Sequence, residues 1–253
     1  MKESRTLEGA ANFLRQILIS ENVSRCQGSL SKVARHFEEP VVITGGIATA
    51  WHLLQNNQLK EKIHLNDIDI VVEDLSCLRD SLRRDFLIRH FHPFREKGKI
   101  LIMLVDEEHR TRIDVFTPTT SSLTERLTNV TARDGPLRLV STEDLLAKVL
   151  SIVTSVTQGK SVEPKHFEHF HSLYAIADLG MVQTIWREYR KENQPKDFVE
   201  AAEEVGRSVT SNPELLRASC YSQDLHQACS WCHESEMFPL APRPKICELL
   251  GYV

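Results

Sequence analysis

Asp67-Ile-Asp69 sits inside the segment Asn66-Asp-Ile-Asp-Ile-Val-Val72, and Asp114 inside Arg112-Ile-Asp-Val-Phe116. Both segments alternate polar and apolar residues with the two-residue period of a strand. In the first, Asp67, Asp69 and Val71 point one way and Ile68, Ile70 and Val72 the other; in the second, Ile113 and Val115 oppose Arg112, Asp114 and Phe116. Carboxylates repeated on one face of an otherwise apolar strand repel each other, and burying them without a counter-charge is costly. A divalent cation relieves both costs, because Mg2+ takes a few carboxylate oxygens and completes its shell with water and substrate phosphates. A third carboxylate on a neighbouring strand would complete a clamp for two ions, activating an attacking hydroxyl and steadying a departing pyrophosphate. The plainer reading is solvent-facing strand charge. Arg112, between apolar neighbours, is expected to pair with a phosphate or, as a structural ion pair, with Asp67.

These side chains need elements to hold them. Pro40-Val-Val-Ile-Thr44 is a β-branched run entering Gly45-Gly46, and Ala48, Trp51, His52 and Gln55 follow at helical spacing. The pattern predicts a buried strand, a tight turn and a helix. Two residues without Cβ let a phosphate approach the backbone, and the free N–H groups of a helix start attract anions. Upstream, Leu7, Phe13, Leu14, Ile17 and Leu18 recur at helical spacing, as do Leu30, Val33, Ala34 and Phe37. Downstream, a helix through Leu75, Leu78 and Leu82 precedes strand-like runs at 86–91 and 99–105. The polar turn 106–109 then lets 99–105 pair antiparallel with 111–116. From Leu137 onward the signals read as helix. Ser141 precedes Asp144 by three, as in a capping box, ahead of an apolar stripe through Leu145, Leu146, Val149, Ile152 and Val153. Pro164 opens a helix carrying Phe167, Phe170, Tyr174 and Ala177, with Gly180 expected to end it.

The order strand, Gly-Gly, helix, strand with Asp-x-Asp, strand with Asp resembles the nucleotidyltransferase superfamily typified by DNA polymerase β. The matching pieces are Thr44-Gly-Gly-Ile-Ala-Thr-Ala-Trp-His52, Asn66-Asp-Ile-Asp-Ile-Val-Val72 and Arg112-Ile-Asp-Val-Phe116. Within that superfamily the chain looks most like the bacterial branch of AbiE-type toxins and antibiotic nucleotidyltransferases, because Ser141-Thr-Glu-Asp-Leu-Leu-Ala-Lys-Val-Leu150 resembles the helix after their catalytic sheet. The resemblance implies an α/β (α+β) fold: a small mixed sheet flanked by helices over 1–136, then an all-helical domain over 137–253. It implies transfer of a nucleoside monophosphate from an NTP, with Mg2+, to a hydroxyl or phosphate acceptor on tRNA, a protein or a small molecule, and an antitoxin-like protein partner. Asp67, Asp69 and Asp114 would be the catalytic metal ligands, holding two ions. Thr44, Gly45, Gly46, Asn66 and Lys148 would line the nucleotide. Lys165-His166 stands where AbiE-type enzymes carry Lys-Asp, which leaves a second reading: a catalytically retired relative that binds a nucleotide or a protein. An antibiotic-modifying transferase is a third.

The 253 residues carry a formal net charge of −4 with 41% apolar content. That balance excludes disorder and argues against gripping long nucleic acid through phosphate neutralisation alone. No apolar run approaches the ~18 residues of a membrane span and the N-terminus lacks an apolar signal core, so a cytoplasmic protein is expected. Cys229-Ser-Trp-Cys232 has the gap of a zinc knuckle, with Cys220, His233 and Cys247 as possible partners; buried free thiols are the favoured reading. His166, His169 and His171 with Glu168 read as surface histidines rather than a metal site, and Trp51 and Trp186 as core or domain-contact aromatics.

Overall fold

The computed structural model describes residues 12–37, 41–65, 67–72, 81–91, 100–132, 135–217 and 240–251. The chain is a mixed α/β protein whose seven-stranded sheet has the order β3-β4-β5-β2-β1-β7-β6. Its strands are β1 (Val42–Thr44), β2 (Asp67–Val71), β3 (Leu87–Phe91), β4 (Ile100–Asp106), β5 (Thr111–Phe116), β6 (Thr128–Ala132) and β7 (Gly135–Leu139). Two pairings are parallel, β2 with β5 and β1 with β7; the remainder are antiparallel. β1 is only three residues long and wholly buried, as its β-branched run requires.

The chain packs as two units. The sheet unit takes in the described residues 12–51, 59–140 and 240–251. Residues 12–17 are helical, and Leu18 bridges Ile63 ahead of α1 (Ser20–Ala34). Val23, Cys26, Leu30 and Val33 form the buried stripe of α1, and Phe37 beyond its end is buried too. Helix α2 (Gly45–Gln55) leaves β1 directly, and the short α3 (Leu82–Asp85) precedes β3. Leu75 and Leu78, expected on that helix, lie outside the described residues.

The hairpin at 106–109 forms as expected, and Asp106 is the reason it holds. Its carboxylate is fully buried and accepts hydrogen bonds from Ser29 Oγ (2.9 Å), Lys32 Nζ (2.9 Å) and the Glu108 N–H (3.2 Å). Arg25 donates to the carbonyls of His109 and Arg110, and the His109 ring lies so close over Gly28 that a Cβ there would be 2.3 Å from its Nε2. One face of α1 is thereby bolted to the β4–β5 turn.

The second unit holds residues 52–58 and 141–217 of the described chain. Its helices are α4 (Thr142–Val153), α5 (Pro164–Tyr174), α6 (Leu179–Tyr189) and α7 (Phe198–Ser211). The capping box forms: the Asp144 N–H donates to Ser141 Oγ at 3.1 Å. Asp144 is itself buried, accepting from Ser141 Oγ and from Tyr189 Oη, each at 2.7 Å. Trp186 is a core aromatic, edge-on to Phe198 at 6.1 Å.

Three readings of the sequence change. Leu137–Leu139 is strand, not helix, because these residues pair with Val42 and Ile43 on one side and 128–130 on the other. The sheet unit therefore runs to Val140, and it also includes α8 (Arg243–Leu250), which the helical region 137–253 had claimed. Gly180 does not end a helix. α5 stops at Tyr174, and Asp178 caps α6 by accepting from the Gly180 and Met181 N–H groups. No helix among the described residues is long and apolar enough to cross a membrane.

Asp106→Ala is expected to cost about 3 kcal/mol in urea unfolding, since it leaves a buried ion pair half-made. Burial pulls the Lys32 pKa down, but the hydrogen bond and charge of Asp106, with Glu108, outweigh it and raise it above 10.5. Its contribution is thus full below that value and is lost as pH rises through the raised one. The wild type should lose stability more steeply than the variant in that alkaline range.

Candidate functional site

β2 and β5 run parallel and in register, so Asp67 lies opposite Arg112 and Asp69 opposite Asp114. Adjacent strands lie about 4.8 Å apart, and directly opposed side chains share a face. Thr44 on β1 opposes Asp69, and Met103 on β4 opposes Asp114, so Thr44, Asp69, Asp114 and Met103 form one transverse row. Asp67, Arg112 and Val105 form the neighbouring row on the same face. The alternation read from the sequence is what aligns them. The apolar partners Ile68, Ile70, Ile113 and Val115 are buried on the opposite face, which pins the register.

Arg112 lies among the acids. Its Nη2 donates to Asp67 Oδ2 and, at 2.8 Å, to Asp114 Oδ2. The ion pair expected with Asp67 therefore exists and extends to a second carboxylate. The arginine side chain is 2% exposed and that of Asp114 3%, whereas Asp67 is 20% exposed. Burial pushes the nearby Cys26 thiol up to about 12; the positive charge of Arg25 opposes the rise and Asp67 adds to it. That thiol has little nucleophilic character at neutral pH.

Gly45 and Gly46 begin α2 at the end of β1. Gly45 has φ +62°, a left-handed backbone that favours glycine, and a Cβ there would stand 1.8 Å from Asp69 Oδ2. The space that its missing side chain leaves is taken by the Asp69 carboxylate. Gly46 has a different reason, because its Cβ would meet Leu65 Cδ2 at 2.8 Å. Thr44, the residue before the pair, is buried.

In donor chemistry these residues fit a hard divalent cation: aspartate oxygens on adjacent strands, one of them given room by a glycine. In the present geometry Asp67 and Asp114 serve a guanidinium. Among the described residues no three His, Cys, Asp or Glu side chains are gathered as metal ligands.

Asn66 lies outside the described residues, as do Cys220, Cys229, Cys232 and His233. Lys148 is on α4 in the helical unit, one turn after Asp144. On α5, His171 stands edge-on to Phe167 and Phe170, while Lys165 pairs with Glu163 at 3.0 Å. Cys247 is a buried free thiol on α8.

Sequence reasoning missed what covers the outer part of the acidic face. Met103 and Val105, which share the rows of Asp114 and Arg112, pack against Ala241, Ile246 and Cys247. The Ala241 N–H also donates to the Ile88 carbonyl at 2.8 Å, tying this segment to edge strand β3. Ile246, Leu249 and Leu250 carry a helical apolar spacing that marks the element but not its partner.

No family model and no curated protein matches the chain. Among solved structures, it is similar to an antigenic nucleotidyltransferase-like protein from Paracoccidioides brasiliensis, at 19% identity over 77% of this chain and 88% of the other, with a TM-score of 0.36. So low a score carries no weight for the activity.

Two glycine variants separate strain from contact. Gly159 also has positive φ, +73°, but nothing within 4 Å of a Cβ. Gly159→Ala should cost about 1–2 kcal/mol from backbone strain alone, and Gly45→Ala about 3 kcal/mol because Asp69 must also move. Equal losses in parallel urea melts would show that the carboxylate yields freely.

Proposed function

We propose that this chain is a metal-dependent nucleotidyltransferase, moving a nucleoside monophosphate from an NTP to a hydroxyl or phosphate acceptor. The observation that supports it is the β2–β5 register, which lines up Asp67, Asp69 and Asp114 on one face of adjacent strands beside the Gly-Gly start of α2. Mg2+ bound there would neutralise triphosphate charge and lower the pKa of the acceptor hydroxyl. Asp67 and Asp69 would hold the ions with their carboxylate oxygens. Asp114, the most buried of the three, would bind the catalytic ion and help deprotonate the acceptor. Thr44, Gly45 and Gly46 are assigned to the triphosphate.

The acceptor class is the finer question. tRNA, a protein hydroxyl and a small molecule such as an aminoglycoside are all compatible with this chemistry. A toxin-like role with an antitoxin-like partner rests on the resemblance of residues 141–150 alone.

Arg112 supports a second reading. A buried guanidinium bridging two of the three acids is also what a retired enzyme would use to neutralise its old metal site. Such a protein would bind NTP without releasing pyrophosphate.

Incubation with each α-labelled NTP and a cell extract should label one fraction in the presence of Mg2+. Asp69→Asn should reduce labelling and pyrophosphate release at least about a hundredfold while leaving the circular dichroism unchanged. Near-normal turnover by that variant would sink the catalytic assignment, and NTP binding with no pyrophosphate from the wild type would select the retired form.

A further inference from the structure

We infer that Arg112 is a resident counter-cation that competes with the divalent ion for Asp67 and Asp114, so that its guanidinium weakens the hold on the ion and gives way at one of them as the site loads. The inference rests on the metal-dependent reading above and concerns how that same site is regulated.

Three observations carry it. The guanidinium reaches Oδ2 of two acids on two different strands, so it acts as a crosslink between them. It is 2% exposed, hence water contributes little screening, and an arginine stays protonated under all ordinary conditions. A divalent ion using the same Oδ2 atoms would therefore compete there with the N–H donors and face a fixed positive charge at short range. The Asp67 arm is the one expected to open, since that carboxylate is 20% exposed and water can replace the guanidinium there, whereas Asp114 is 3% exposed.

The arrangement has a use in the unloaded protein. One guanidinium stands among three carboxyl groups that would otherwise repel one another across adjacent strands. It keeps the face folded until the ion arrives. Because coupling is reciprocal, whatever the ion does to the hold of Arg112, Arg112 does to the affinity for the ion.

The test uses the full chain and Mn2+ alone, with free ion counted by electron paramagnetic resonance. Arg112→Gln should bind Mn2+ about 10- to 100-fold more tightly than the wild type, and should melt at a lower temperature without the ion. Arg112→Lys, which keeps the charge, should stay near wild-type affinity. Equal or weaker Mn2+ binding by folded Arg112→Gln, with the wild type binding normally, would show that Arg112 merely positions the acids and would overturn the inference alone. If neither protein binds Mn2+, the metal-dependent reading falls with it. Should Arg112→Gln fail to fold, the wild type still decides the matter. The slowly exchanging guanidinium signal missing from the 15N–1H spectrum of Arg112→Lys should shift or broaden on Mg2+ addition, and an unchanged signal at Mg2+ saturation would overturn the proposal.

Discussion

Side by side and in register, β2 and β5 set Asp67 against Arg112 and Asp69 against Asp114. Each pairing follows from the same backbone ladder, so a slip of β2 by one residue would turn Asp67 and Asp69 into the apolar layer and bring Ile68 and Ile70 to the acidic face. The burial of those aliphatic residues therefore holds the chemistry in place. The acidic face in turn needs Arg112. Three carboxyl groups crowded on adjacent strands would strain the sheet, and the guanidinium that bridges two of them spreads opposite charge across both strands.

Around this centre the sheet unit is braced at two further places. At the β4–β5 turn, Asp106 collects donors from α1 and from its own hairpin, which anchors the helix to the strand that carries Asp114. Toward the outer edge, Ala241 and, on α8, Ile246 and Cys247 pack onto Met103 and Val105. The acidic face is thus bounded on its β4 side by apolar packing, and on its β1 side by Gly45, whose bare Cα admits the Asp69 carboxylate. The helical unit follows the same rule of paired burial: Asp144 is buried because Ser141 and Tyr189 satisfy it.

Most strands near the site were legible from alternation alone. The 106–109 hairpin, the strand entering Gly45-Gly46 and the N-cap at Ser141 all correspond to local patterns. β6 and β7 were not legible. Gly135 and Pro136 have weak strand propensity, and β7 becomes strand through its pairing with β1 on one side and β6 on the other. Gly180 was misread because a glycine near a helix end resembles a terminator, whereas the side chain of Asp178 makes it the first turn of the next helix.

What the amino-acid order determined by itself was which side chains share a face. A two-residue period puts Asp67 with Asp69, and Arg112 with Asp114, whatever the rest of the chain does. Tertiary structure decided which face meets which. Only the sheet order could place β5 beside β2 rather than β1, send the Arg112 guanidinium to two acids at once, and lay the C-terminal helix along the same face. Those outcomes depend on contacts between residues far apart in the chain, and no local period encodes them.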